Sequence, residues 1–181
     1  MQNNYEARAK KFIHQIFPLI EYHMEEPYAV KCAMDTFNKT YHRNILVRNG
    51  SARIAIITSD YVIKFDYDYE NVEEIGGCEQ EMELYKLAVE DGIDYLFAKT
   101  ERYDYNGHSF YIMPRIYGIG KRRYKKYHPA DYYMTSKEKE WCDSHKLVDL
   151  HSNNYGFRKG KICIVDYAFF QSDADWDDEI Y

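Results

Sequence analysis

The chain reads as an α+β domain, and three observations carry that reading. Helical apolar spacing opens the chain, short β-branched runs bounded by Gly, Asn and Ser turns fill its middle, and a Gly-punctuated hairpin follows a further helix near its end. At 181 residues with 45% hydrophobic side chains, the chain is long enough for one compact domain.

Residues 5–24 place Phe12, Ile13, Ile16, Phe17, Leu19 and Ile20 on a helix-like pattern, and Pro18 is expected to kink or end it. Residues 30–37 predict a second short helix. Strands are predicted over 44–48 and 53–57, joined by Asn49-Gly50-Ser51-Ala52, and a turn at Ser59-Asp60 leads into a third strand over 60–65 that carries a single Lys, Lys64. Gly76-Gly77 marks a break before 79–88, a stretch rich in strong helix formers. Its inward stripe is predicted as Met82, Tyr85 and Ala88, while the acids crowd the first turn, where the helix dipole favours them. Residues 95–98 and 109–113 then read as two strands around the turn Tyr105-Asn106-Gly107. Residues 136–148 read as a helix, and 161–165 as a buried strand after the turn Arg158-Lys159-Gly160-Lys161.

The end of the chain carries the most specific chemistry. A phosphoryl-transfer site needs one carboxylate to hold the attacking hydroxyl, and an amide and a second carboxylate to hold the magnesium that bridges the nucleotide's phosphates. Asp149, Asn154 and Asp166 supply those groups, with Asn154 just before one strand of the hairpin and Asp166 at the end of the other. Each has an ordinary alternative: Asp149 as a helix cap, Asn154 as a turn residue, Asp166 as a strand-end Asx turn.

This arrangement resembles the protein-kinase-like superfamily, whose catalytic loop reads D-x-x-x-x-N and whose metal-binding segment reads D-F-G. Asp149-Leu150-His151-Ser152-Asn153-Asn154 and Asp166-Tyr167-Ala168 match those motifs, in the form found in minimal bacterial and viral kinases and in small-molecule phosphotransferases. The resemblance implies an ATP- and magnesium-dependent phosphotransferase that moves the γ-phosphate to a hydroxyl of a protein or small molecule. It implies Asp149 as the base or hydroxyl-orienting group, with Asn154 and Asp166 as the metal ligands. Lys64 would bind the α- and β-phosphates and pair with a carboxylate on the following helix, Glu81 by register or Glu79 as runner-up. Gly50 and Ser51 would lie over the phosphates, although a single Gly before a strand is also an ordinary hairpin turn. Residues 113–118 would form the hinge to adenine, with Met113 and Arg115 as the candidate contacts. The implied fold is two-lobed: a helical extension over 1–40, an amino-terminal lobe and hinge over 41–118, and a truncated helical carboxy-terminal lobe over 119–181.

The chain departs from the family pattern in places. Leu147 and Val148 stand where protein kinases carry the His and Arg of H-R-D, which argues against control by activation-loop phosphorylation, and Ala168 replaces the Gly of D-F-G. With fifteen residues after Asp166 in this sequence, no activation segment and no peptide-binding helices are expected. A kinase-like protein that binds nucleotide, has little or no catalysis and regulates a partner is therefore the alternative expectation, and transfer of the nucleotidyl group is a third.

Net charge of −6 argues against nonspecific nucleic-acid binding as the main task. The basic, Tyr-interleaved segment 121–127 reads as a solvated face, a nucleic-acid contact or a receiving surface for an acidic or phosphate-bearing partner. Much of the acidity lies in the tail 173–179. No run approaches a membrane span and no signal-peptide core is present, so a cytoplasmic protein without membrane contact is expected. Cys32, Cys78, Cys142 and Cys163 lack metal-type spacing and read as reduced thiols. Asp143, His145 and His151 match no common metal motif. The 20 tyrosines read as packing residues with solvent-reaching hydroxyls.

Overall fold

A computed structural model of the chain describes residues 4–50, 52–67, 77–118, 133–147, 150 and 154–167. Among these, the architecture is mixed α+β, with a five-stranded antiparallel sheet, a three-stranded sheet and four α-helices.

Helix α1 (Tyr5–Ile20) opens on Asn4, whose side-chain oxygen accepts the Ala7 N–H at 3.1 Å. It buries Ala9, Phe12, Ile13, Ile16, Phe17 and Ile20, the i, i+3, i+4, i+7 row of an amphipathic helix. Pro18 lies inside its last turn, after which the chain tightens into a 3-10 turn, Glu21–His23. Leu19 is 43% exposed, so it is not part of the buried row. Helix α2 (Pro27–Tyr41) begins with Pro at its first turn, buries Val30, Met34 and Phe37, and ends on His42 in the left-handed region at φ +50°. It is several residues longer than the stretch predicted from its apolar core. Asn38 fixes the exit, accepting the Ile45 N–H at 3.1 Å and donating to the Ile45 carbonyl at 2.7 Å.

The larger sheet runs β1 (Leu46–Asn49), β2 (Arg53–Ile57), β3 (Tyr61–Asp66), β5 (His108–Pro114), β4 (Glu101–Tyr105). Strand alternation sorts its side chains into two sets. Ile54, Ile56, Ile63, Phe65, Phe110 and Ile112 form one core with α1 and α2. Arg53, Ala55, Lys64 and Tyr111 occupy the alternate positions, and the register pairs Ala55 with Lys64 and Lys64 with Tyr111.

The strand expected over 95–98 is instead a 3-10 turn, Asp94–Leu96, followed by one bridging residue, Phe97. The partner of β5 is Glu101–Tyr105, joined to it by Asn106 and Gly107 at φ +52° and +83°, the backbone of a type I′ hairpin.

Helix α3 (Cys78–Glu90) buries Cys78, Glu81, Leu84 and Ala88. That face is rotated from the predicted stripe, because Leu84 rather than Met82 points inward, and Glu81 comes with it. Helix α4 (Ser136–Ser144) is shorter than predicted and starts on a capping box between Thr135 and Glu138. The small sheet contains β6 (Tyr117–Gly118), β7 (Tyr155–Arg158) and β8 (Lys161–Ile164). Lys159 and Gly160 turn the β7–β8 hairpin at φ +53° and +80°. Gly156 has no room for a side chain, since a Cβ would lie 2.5 Å from Ile116 and 2.7 Å from the Tyr117 carbonyl. Leu84, Ala88, Phe97, Trp141, Tyr155, Ile164 and Tyr167 belong to a second core. A third, small cluster of Ala98, Met113 and Cys163 lies where the Ala98 N–H donates to the Ile164 carbonyl at 2.8 Å, beside the last residues of β8. No helix among the described residues is long and apolar enough to cross a membrane.

Because α1 is anchored by its buried row, Ile16→Ala is expected to cost about 2–5 kcal/mol, whereas Leu19→Ala is expected to stay within about 0.5 kcal/mol. Urea unfolding of both variants checks this; equal losses would mean that α1 is not docked on the sheet as described.

Candidate active site

Lys64 sits on β3, the middle strand of the larger sheet, flanked in register by Ala55 and Tyr111. Its Nζ donates to Glu81 Oε1 at 2.6 Å and to the Val165 carbonyl at 3.1 Å, and lies 3.7 Å from Asp166 Oδ1. Two segments far from β3 in sequence, α3 and the residues after β8, therefore converge on one ammonium.

Local structure explains each approach. Asp66, the last residue of β3, accepts the Cys78 N–H through both carboxylate oxygens, at 3.0 and 3.2 Å, and so ties the first turn of α3 to the strand that carries Lys64. The Gln80 side chain accepts the Gly77 N–H at 2.6 Å, closing the same turn. Glu81 then faces inward. Glu79 lies two positions back on the helix and faces elsewhere, accepting from Tyr111 Oη at 2.6 Å and Arg102 Nη1 at 3.1 Å. Of the two candidate partners, only Glu81 touches Lys64.

The β7–β8 hairpin delivers the other wall. Tyr155 pairs with Ile164, and the Val165 N–H donates to the Asn154 carbonyl at 2.8 Å, so Asn154 lies across from the residue before Asp166. Asn154 is 7% exposed. Tyr167 pins the segment beyond: its N–H donates to Glu81 Oε1 at 3.2 Å, and its hydroxyl bonds the Ala98 carbonyl at 2.6 Å and Thr100 Oγ1 at 2.9 Å.

A fourth charge, absent from the sequence-derived set, enters from β2. Arg53 Nη2 is 2.8 Å from Asp166 Oδ1, and Nη1 is 3.6 Å from Glu81 Oε1. Its signal in the sequence was alternation, since Arg53 is two residues from Ala55 and therefore on the Lys64 side of the sheet. Asp66 was also missed, its role being visible only once α3 is in place.

The cluster holds two cations against two carboxylates, and burial decides how each titrates. Burial pushes the Glu81 carboxyl above its ordinary value despite Lys64 at hydrogen-bond distance, because its side chain is 0% exposed. Burial acts the same way on Asp166, but its side chain keeps 40% exposure, and Lys64 and Arg53 together hold it below the usual carboxylate range. Burial disfavours the Lys64 ammonium; the two carboxylates outweigh that and keep it charged.

Other predicted positions lie apart. Gly50 closes the β1–β2 turn, its N–H donating to the Arg53 carbonyl at 2.8 Å, and a Cβ there would make only ordinary contact. Met113 is buried on β5. Arg115 is engaged with the β2–β3 turn: its N–H donates to the Asp60 carbonyl at 2.9 Å and its guanidinium to the Thr58 carbonyl at 2.5 Å. Ser51 and Asp149 lie outside the described residues, as do the basic segment 121–127 and the acidic tail. A separate concavity of about 800 Å³ lies among Arg8, Phe12, Phe37, Arg43, Thr58 and Tyr61, and none of Lys64, Glu81, Asn154 or Asp166 lines it.

No protein-family model and no curated protein matches this chain. Among solved structures it is similar to the Legionella pneumophila Lpg2603 kinase bound to IP6, with a TM-score of 0.45 and 16% sequence identity. That match covers 76% of this chain and 52% of the other, so this chain spans about half of its neighbour's length.

Removing Lys64 strips the buried Glu81 of its nearest cation, and Lys64→Met is expected to cost about 3–5 kcal/mol near neutral pH. The charged form of Glu81, already raised above its ordinary 4.5, is the form that the fold disfavours, so its penalty applies above the folded pKa and is relieved as pH falls through it. Asp166 titrates in the opposite sense, below its ordinary 3.8, and leaves the higher range to Glu81. Thermal melts of Lys64→Met from about pH 8 towards pH 5 should show the deficit shrinking, and adding Glu81→Gln should flatten that dependence. A pH-independent deficit would contradict the assignment of Glu81 as the buried partner.

Proposed function

We propose that this chain is an ATP- and magnesium-dependent phosphotransferase that moves the γ-phosphate of ATP to a hydroxyl of a protein or small molecule. The observation that carries this reading is the Lys64 ammonium held 2.6 Å from the buried Glu81 and 3.7 Å from the half-exposed Asp166. Such a group is charged and rigidly oriented, and a carboxylate stands beside it at the mouth of the cluster.

The residues fit the proposed cofactors. A carboxylate at Asp166 and an amide at Asn154 form a hard-oxygen pair of the kind that binds magnesium, in contrast to thiolate or imidazole sets. A magnesium ion held there would supply charge neutralisation on the phosphate oxygens. Lys64 binds the α- and β-phosphates, Glu81 and the Val165 carbonyl fix its direction, and Tyr167 keeps Asp166 in place through the Glu81 contact. Asp149 accepts the proton of the acceptor hydroxyl as its oxygen bonds to the γ-phosphorus and the bond to the bridging oxygen breaks, releasing ADP. Catalysis on this account is positioning plus electrostatic stabilisation. The two hydrophobic cores are read as those of an amino-terminal lobe and a smaller carboxy-terminal lobe, with the chemistry at their seam.

One observation favours a second reading, a nucleotide-binding regulator with little or no catalysis. The Arg53 guanidinium already neutralises Asp166 at 2.8 Å, leaving a carboxylate that is partly satisfied without metal.

Incubation with γ-labelled ATP and magnesium, alone and with cell lysate, separates the two. The kinase reading expects label transfer that falls at least about 10²-fold in Asp149→Asn with nucleotide binding intact. Binding with no transfer in the wild type would establish the regulator instead.

A further inference from the structure

We propose that Arg53 is a phosphate-seeking counter-cation: it holds Asp166 until nucleotide arrives, then moves to the phosphates, so that metal and nucleotide bind as a pair and neither binds well alone. The proposal rests on the nucleotide-site reading above and assigns a role within that site to a residue outside the catalytic motifs.

Three observations support it. First, Arg53 and Lys64 both approach Asp166 Oδ1, at 2.8 and 3.7 Å. A magnesium ligand must bring its oxygen to about 2.0–2.1 Å of the ion, and a guanidinium already bonded to that oxygen both occupies a lone pair and repels the ion. Second, charge is balanced as the cluster stands: Lys64 and Arg53 offset Glu81 and Asp166. A divalent cation entering alone leaves that balance strongly positive, whereas one entering with nucleotide phosphates does not. Third, among the described residues two buried atoms of the cluster, Arg53 Nη1 and Glu81 Oε2, have no hydrogen-bond partner, the nearest carboxylate oxygen to Nη1 being Glu81 Oε1 at 3.6 Å. Within the described residues Arg53 Nη1 is therefore a buried donor with no acceptor at hydrogen-bond distance, which is costly unless something supplies one. A phosphate oxygen is such an acceptor, and a guanidinium's planar fork suits it.

The place of Arg53 in the fold permits the exchange. It is the first residue of β2, immediately after the turn that begins at Gly50. Its side chain is 19% exposed, against 0% for Glu81, so it lies towards the mouth of the cluster while Glu81 lies at its base. Moving the guanidinium from Asp166 to a phosphate breaks one charge-assisted bond and makes another, without disturbing the Lys64–Glu81 pair.

The test measures binding of manganese, a paramagnetic substitute for magnesium, by electron paramagnetic resonance in the absence of nucleotide, for wild type, Arg53→Met and Arg53→Lys. The proposal expects Arg53→Met to bind the ion about tenfold more tightly than wild type and to bind the non-hydrolysable analogue AMP-PNP without metal about tenfold more weakly, each a change of about 1.4 kcal/mol. Arg53→Lys preserves the charge and guards against a folding defect; it should keep weak metal binding. A structural role alone predicts looser metal binding in both variants, so unchanged or weaker manganese binding in Arg53→Met overturns the proposal. If wild type binds AMP-PNP in a magnesium-dependent way while Arg53→Met shows no gain for the ion, only the role of Arg53 fails. If wild type binds no AMP-PNP under any condition, the nucleotide-site reading fails with it.

Discussion

The constraint on which the rest of this structure depends is the burial of Lys64 on the central strand of the larger sheet. An ammonium at 8% side-chain exposure has to be met by acceptors, and the fold meets it from two directions: Glu81 on α3 and the Val165 carbonyl beyond β8. Those two contacts fix where the helix and the hairpin lie against the sheet. Asp66 and Tyr167 serve the same end, one by tying α3 to β3, the other by tying the segment after Asp166 to Glu81.

As a device for stability this is poor design. Gathering four ionic groups where the larger sheet meets α3 and the end of β8 costs desolvation that well-packed apolar residues would avoid. The arrangement makes sense when a ligand completes it. The alternate set of sheet positions carries Arg53, Lys64 and Tyr111 beside the apolar Ala55, Val62 and Met113, while α1 and α2 cover the other, apolar set. The division follows from strand alternation alone, and it places Arg53 and Lys64 on one side with Tyr111.

Much of the fold was legible because its signals are local. The apolar row of α1, the two-residue turns at Asn106-Gly107 and Lys159-Gly160, and the β-branched runs of β2 and β3 each specify their own geometry. Failures arose where partners decide. Tyr95-Leu96-Phe97-Ala98 is apolar enough to be a strand, yet it has only one bridging residue to pair through, at Ile164. Glu101–Tyr105 looks polar, yet it forms a strand because β5 offers a full edge and because Tyr103 and Tyr105 pack towards α1. At the site, type and spacing singled out Lys64, Asn154 and Asp166 as candidates, and the fold brings Lys64 and Asp166 within 3.7 Å of each other. The choice between Glu79 and Glu81 was not legible in the sequence, since it turns on a rotation of α3 that Asp66 and Leu84 set. Arg53 carried only the alternation signal, because its place beside Asp166 depends on the register between β2 and β3 and on a hairpin more than a hundred residues away.

The central claim is that the Lys64–Glu81–Asp166 cluster binds the phosphates of a nucleotide together with a divalent ion. Calorimetric titration of AMP-PNP into wild type and Asp166→Ala, with and without magnesium, tests it most directly. The account predicts that magnesium tightens binding to wild type by at least about tenfold and has no effect on Asp166→Ala. Equal magnesium-dependent affinity in the two proteins would contradict it.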